Sequence, residues 1–383
     1  MLRVLAFNRF YLPGYQAGGP IVSLANMVAA LGEQVSFFIV TSDRDINDPN
    51  TYSNIELDAW IKQGKSLVRY IDTSKSSIWS VTDIVNEVAP DVVYLNSFFD
   101  TWFSFPLLAA RRLGRLQASR LMLAPRGEFS KGALAIKPLR KWMYISALRG
   151  LGLLEKIEWH ASTEMEALEV RLALGLTDMS KVHIAADLGS LPALDAIEAW
   201  RPRSRGAPMR VCFLSRISPK KNLLGAIRSL SKMRLPAHMD IYGPKEDVGY
   251  WKECDKAISD LPSHIRASYR GPIAPSDIHR TFAQYDVMLL PTQGENFGHV
   301  ILEAMSVGLP AIIGDRTPWK GLTEKGIGYD GPLDENALAV HLDRLAALNV
   351  EQMRTVRDGA RKYADSILAD PDTVEANRQL FAQ

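Results

Sequence analysis

Apolar residues recur along this chain in two alternating rhythms. Short strand-like runs at Leu2–Phe7, 35–41, 67–71, 92–95, 121–124, 157–160 and 181–185 have the length of buried strands. Between most of them apolar positions repeat at helical spacing, beginning with a helix over about 21–31. Strands that are apolar throughout are covered on both faces, so the pattern predicts a parallel, doubly wound sheet with ligands at the carboxyl ends of its strands. The rhythm breaks at 191–208, where Pro192, Pro202, Pro208 and clustered arginines leave no strand-like run. It restarts with runs at 210–214, 239–242, 266–270, Val287–Leu290 and Ala311–Gly314. The expected organisation is an α/β protein with one Rossmann-like domain over 1–195, a linker over 196–208, a second such domain over 209–365 and a final helix over 366–383.

Composition sharpens this only modestly. A chain of 383 residues exceeds what one core usually supports. With 47% hydrophobic and 23% charged residues and a formal charge of +2, it reads as an ordinary globular protein with no global case for nucleic-acid binding. The charge is uneven: from Trp200 to Lys221 there are seven Lys or Arg and no acid. Cys212 and Cys254, the two cysteines, make neither a disulfide framework nor a metal cluster, which fits a cytoplasmic protein. The first apolar run is broken by Arg3, Asn8 and Arg9, and no apolar stretch reaches ~18 residues, so neither a signal segment nor a membrane span is expected. The stretch 131–149 sets Leu134, Leu139, Trp142, Met143, Ile145 and Leu148 among basic residues. Two readings stand for it, a core-facing helix with a solvated basic face or a peripheral contact with an anionic membrane.

The candidate chemistry centres on 289–319. An apolar run, the turn residues 291–294, and Phe297, Val300, Ile301, Ala304 and Met305 at helical spacing predict a strand, a loop and a helix that Pro310 stops. Glu295 falls just before that helix, among free N–H groups that favour an anion, and Glu303 lies eight positions later, about two turns on. Carboxylates accept hydrogen bonds from vicinal hydroxyls and N–H groups hold a diphosphate, so the pattern suits a sugar nucleotide; by themselves both glutamates are equally solvated surface charges. Arg216 and Lys221 lie on another strand-to-helix loop, where cations oppose the helix dipole unless an anion is bound. Gly18 and Gly19 open the helix after the first strand without a dinucleotide fingerprint. Asp43-Arg-Asp45 has the spelling of a metal-binding pair but reads as a solvated loop.

Glu295-Asn-Phe-Gly-His-Val-Ile-Leu-Glu303, followed by Ala-Met-Ser-Val-Gly-Leu-Pro and Thr317-Pro-Trp319, resembles the E-x7-E segment of the retaining family-4 glycosyltransferases. Ser215-Arg216 through Lys221-Asn222 is similar to that family's G-R-x-x-x-x-K-G loop, with Ser215 and Asn222 in place of glycines. The resemblance implies a GT-B fold, a donor site in the second domain and a terminal helix crossing back to the first. It implies sugar transfer from a nucleoside diphosphate, UDP or GDP, to a hydroxyl of a saccharide acceptor in surface polysaccharide synthesis, with retention and with no cofactor or metal. Arg216 and Lys221 would steady the leaving diphosphate. Glu303 would hold the ribose, and Glu295 with Asn296, Phe297 and Gly298 would orient the sugar. Gly18, Gly19, Gly243 in a strand-end turn and Ile273 in the loop that frames the base complete the donor set.

In the first domain, the place of a histidine usual in the family holds Pro125-Arg126-Gly127, as in a P-R-G subset. Arg126 cannot be a base; it either meets a phosphate or makes a structural ion pair. His160 and Glu164 fall where the family shows S-x-x-E and would line the acceptor side. A lipid-linked acceptor, met at the inner membrane face through 131–149, extends this reading. A sugar-nucleotide epimerase of the same fold and a non-catalytic sugar-nucleotide-binding subunit are the alternatives.

Overall fold

In a computed structural model, every residue is described except 47, 76, 78, 117–119, 193, 194, 196–199, 205 and 383. The chain forms two compact units, Met1–Leu188 together with the helix Pro371–Ala382, and Gly189–Asp370.

The first unit is built on eight strands: β1 (Leu2–Phe7), β2 (Val35–Ser42), β3 (Trp60–Gln63), β4 (Ser66–Ile71), β5 (Val92–Asn96), β6 (Arg120–Ala124), β7 (Glu158–Ala161) and β8 (Val182–Ile184). Their order is β3-β4-β2-β1-β5-β6-β7-β8, parallel except for the β3–β4 hairpin. Successive side chains leave opposite faces of the sheet, which explains the unbroken apolar runs. Leu5, Phe7, Val93, Leu95, Leu121 and Leu123 pack one way against helices that include Ser104–Arg112, Pro138–Gly150 and Glu164–Leu174. Val4, Ala6, Tyr94, Met122 and Ala124 pack the other way, against Gly19–Leu31 and the terminal helix. That helix is fastened by Phe381 against Phe37 and Tyr94 and by Arg120, which donates to the Leu380 and Phe381 carbonyls at 3.0 Å.

The second unit holds six parallel strands: β9 (Met209–Leu214), β10 (Ala237–Tyr242), β11 (Ile265–Gly271), β12 (Val287–Leu290), β13 (Ala311–Gly314) and β14 (Gly328–Gly331). Their order is β11-β10-β9-β12-β13-β14. In both sheets the chain moves from its first strand to one side and later returns to the other. The carboxyl ends of β1/β5 and β9/β12 are therefore topological switch points, where an open α/β sheet leaves a crevice for ligands.

The expected linker over 196–208 is only partly described. Residues 196–199 and 205 lie outside the described residues, but Trp200 and Arg203 pack on the second unit. The Trp200 indole and the Arg203 and Arg210 guanidinium groups converge on the buried Asp286. Arg203, one of the arginines that suggest a solvated connector, answers a buried carboxylate instead. Two strands also go unread in the sequence. β3 is a short, half-exposed edge, and β14 is glycine-rich because a Cβ on Gly328 would lie 2.1 Å from the Ala311 carbonyl oxygen.

Candidate functional site

The helix His299–Ser306 starts behind β12 at Gly298, whose φ of 83° suits glycine, and no side chain caps it. Because the helix begins at His299, Glu303 is little more than one turn in, rather than two. The loop before it is pinned to its neighbours. Gln293 N–H donates to the Lys220 carbonyl at 2.8 Å, Glu295 N–H to the Arg316 carbonyl at 3.0 Å, and the Trp319 indole to the Phe297 carbonyl at 2.5 Å. Phe297 itself is buried against Trp319 and His299. Its ring holds the loop in place, and Trp319 of the Thr-Pro-Trp spelling is its partner. Asn296, exposed enough to be half-buried, remains open at the loop.

Across the switch point, Arg216 and Lys221 follow β9. Lys221 Nζ lies 2.6 and 2.8 Å from the two Glu295 oxygens, and the side chains are 12% and 9% exposed. Burial pushes the Glu295 carboxyl up, but Lys221, with Lys220 and Thr292, holds it below its ordinary value. Arg216 pairs with Glu246 at 3.0 Å. Asn222, which stands for a family glycine, has φ 56°, a conformation asparagine tolerates. Its side chain caps the next helix at Gly225 N–H and donates to the Pro291 carbonyl at 3.0 Å, tying the two loops together. Gly243 closes the other side: with φ 131°, a Cβ there would lie 1.9 Å from the Ser215 carbonyl oxygen. Ile273 is half-buried in the loop after β11.

Glu303 stands apart from these pairs. It is half-buried, and among the described residues its carboxylate has no hydrogen bond or ion pair. Burial pushes its carboxyl up, partly offset by His299. A burial cost with no hydrogen bond to offset it is what a ligand-facing group shows.

In the first unit, Gly18 (φ 74°) begins the helix Gly19–Leu31 without a side-chain cap. Pro20 removes one N–H, and those of Ile21 and Val22 bond back to the Gly18 carbonyl, so this turn offers an anion fewer donors than a bare helix start. Asp45 is not a free loop acid: it accepts from Tyr15 and Gln16 N–H at 2.7 and 3.0 Å and shapes the glycine loop, while Asp43 pairs with Arg44.

Two first-unit assignments, Arg126 and His160, are corrected, and a third, Glu164, is placed at the surface. Arg126 is the structural ion pair of the two readings. Its guanidinium meets Asp187 at 2.5 Å, Tyr94 Oη at 2.8 Å and Asn96 Oδ1 at 3.1 Å, with the paired side chains 5% and 4% exposed. His160 is 1% exposed and both ring nitrogens are engaged. Its Nε2–H donates to the Ala185 carbonyl at 2.9 Å, which leaves Nδ1 to accept from Tyr94 O–H at 2.6 Å. Glu164 is the exposed first residue of its helix. The buried acid is Glu166, which accepts from Gly127 N–H at 2.5 Å and from Ser162 N–H and Oγ–H at 2.8 and 2.9 Å, and so fastens the Pro-Arg-Gly turn. The Thr163-x-x-Glu166 capping spacing was the signal for it.

Residues 197–362 match the family described as Glycosyl transferases group 1. A sulfoquinovosyl transferase of Arabidopsis thaliana is 31% identical over 127 residues, covering 30% of this chain and 23% of that protein. An O-antigen chain mannosyltransferase B of Escherichia coli is 26% identical over 137 residues, covering 34% and 35%. The chain therefore spans only about a quarter to a third of the length of these relatives. The structure of Anabaena HepE in complex with UDP and glucose superposes with TM-score 0.71 at 17% identity, over 99% of this chain and 98% of that one. The protein has the GT-B fold, and residues 197–362 match the glycosyltransferase group 1 family.

Proposed function

We propose that the protein is a retaining glycosyltransferase similar to family 4, in its Pro-Arg-Gly subset. It moves a hexose from a nucleoside diphosphate, UDP first among candidates, to a hydroxyl of a saccharide acceptor without a metal. The observation that carries this reading is the unpartnered Glu303 carboxylate on the helix whose open start faces the Lys221–Glu295 pair. Ribose hydroxyls donate to Glu303 and relieve its burial cost. The diphosphate lies against Lys221, Arg216 and the start of the helix, where developing negative charge on the leaving group is stabilised by fixed cations and N–H dipoles. Glu295, released in part from Lys221 by the phosphates, turns its oxygens to the sugar hydroxyls. The acceptor belongs to surface polysaccharide synthesis and is carried on a lipid at the inner membrane face. The sulfoquinovosyl and mannosyl relatives and the UDP complex of HepE support a sugar-nucleotide donor and a saccharide acceptor.

The test is calorimetric titration with UDP- and GDP-sugars followed by transfer assays on a saccharide panel. Binding with transfer and retained anomeric configuration supports the proposal. Free epimerised sugar nucleotide formed without acceptor, or donor binding with no transfer at all, would put the epimerase or the binding subunit in its place.

A further inference from the structure

The helix Pro138–Gly150 carries an apolar row on its outer side. Ile145 and Leu148 face the core at 8% and 1% exposure, whereas Leu139, Trp142 and Met143 are 68%, 66% and 56% exposed. These three lie at three- and four-residue spacing and so share one face, and Ile136, 58% exposed, immediately precedes the helix. Single exposed apolar residues are ordinary, but a contiguous set with a tryptophan marks a contact surface. The helix therefore has the expected core-facing side, but its outer side is apolar as well as basic.

The same stretch, 131–151, holds Lys131, Lys137, Arg140, Lys141 and Arg149 and no acid. Lys141 turns inward, donating to the Ala133 carbonyl at 2.8 Å and lying 4.8 Å from the Phe99 ring centre, while Lys131, Lys137 and Arg140 stay exposed. The neighbouring helix Glu164–Leu174 belongs to the same layer, because β6, β7 and β8 advance in one direction and right-handed crossovers put both helices on one face. Arg149 lies against its C-cap Gly175, and Leu172 beside that end is 72% exposed.

We propose that this face docks on an anionic lipid surface. A second copy of the chain, seated by two-fold symmetry, would set the same cations against one another. Exposed leucine, methionine and tryptophan rimmed by lysine and arginine suit the boundary between acyl chains and anionic headgroups. The stretch directly follows the Pro-Arg-Gly turn at the carboxyl edge of β6, so a docked surface would lie beside the ligand edge of the first unit. Nothing in this depends on donor chemistry, so its failure and that of the proposed transfer are separable.

The experiment is flotation of the full chain with phosphatidylglycerol-containing and pure phosphatidylcholine vesicles at about 0.05 M and about 0.5 M salt. Binding to the anionic vesicles at low salt, and its loss at high salt, is expected. Lys137→Gln with Arg140→Gln should weaken partition by about 30-fold, and Leu139→Ser with Trp142→Ser by more than about tenfold. Unchanged thermal unfolding of both variants, expected for exposed sites, keeps the comparison valid. No binding by the wild type at low salt, variants that bind like the wild type, or a dimer that Trp142→Ser dissolves would each overturn the proposal.

Discussion

Lys221 Nζ sits 2.6 and 2.8 Å from the two carboxylate oxygens of Glu295, joining residues 74 apart at the carboxyl ends of adjacent strands. The pair means that, without a donor, the cation proposed for the diphosphate already has an anion. Glu295→Gln should therefore destabilise the unliganded protein by about 3 kcal/mol, because it strands a mostly buried ammonium. UDP affinity should stay level or rise, since the diphosphate takes the vacated place, while transfer falls by about a hundredfold for want of sugar orientation. Paired titrations and transfer assays check this; a UDP affinity lost in parallel with transfer would contradict it. The sign of the pH effect follows: the Glu295 carboxyl is held below its unfolded value of 4.5, so the pair's stabilisation is present above that value and lost as pH falls through the folded one.

Glu303 should behave in the opposite way. Burial raises its carboxyl, so ionising it costs stability at neutral pH, and Glu303→Gln should raise Tm by about 2–4 °C, for roughly 1 kcal/mol gained. The same variant should bind UDP about tenfold or more weakly. Calorimetric scanning beside titration reads both. A variant that melts lower and binds UDP normally would remove Glu303 from the site.

Arg126 should be a stability residue. Arg126→Ala leaves Asp187 buried without its cation and should cost about 3–5 kcal/mol. Urea unfolding measures this, and at temperatures where the variant stays folded its UDP affinity should match the wild type. A stable variant with impaired transfer would restore the catalytic reading.

His160 gives the first unit an acid limit. Burial, reinforced by the Arg126 charge, pulls the imidazole down to about 4 from 6.5. Between those values the unfolded chain takes up the proton and the folded one does not, so stability falls with pH, by about 3 kcal/mol in total, and is full above 6.5. His160→Gln should flatten that limb of the denaturation profile; an unchanged profile would assign the limb to other groups.

The strands that core both sheets were legible because burial on two faces leaves unbroken apolar runs, as in Val92–Asn96 and Val287–Leu290. β3 and β14 were not, since an edge hairpin and a glycine strand carry no such run. At the site, sequence placed Arg216 and Lys221 on the loop after β9, Glu295 on the loop after β12 and Glu303 on the helix that follows, because the strand-to-helix spelling is local. It could not pair Lys221 with Glu295 or Arg126 with Asp187, which only strand order brings together. It also chose Glu164 over Glu166, where one position separates an exposed helix residue from the buried acid that holds Gly127.

The central claim, that a nucleoside diphosphate is held between the β9 loop and the helix His299–Ser306, is tested most directly by titrating UDP and GDP into the wild type and Lys221→Ala. The account predicts that at least one of them binds the wild type, and that Lys221→Ala, still folded, binds it about 10- to 100-fold more weakly. A wild type that binds neither nucleotide, or a folded Lys221→Ala that binds as the wild type does, would contradict it.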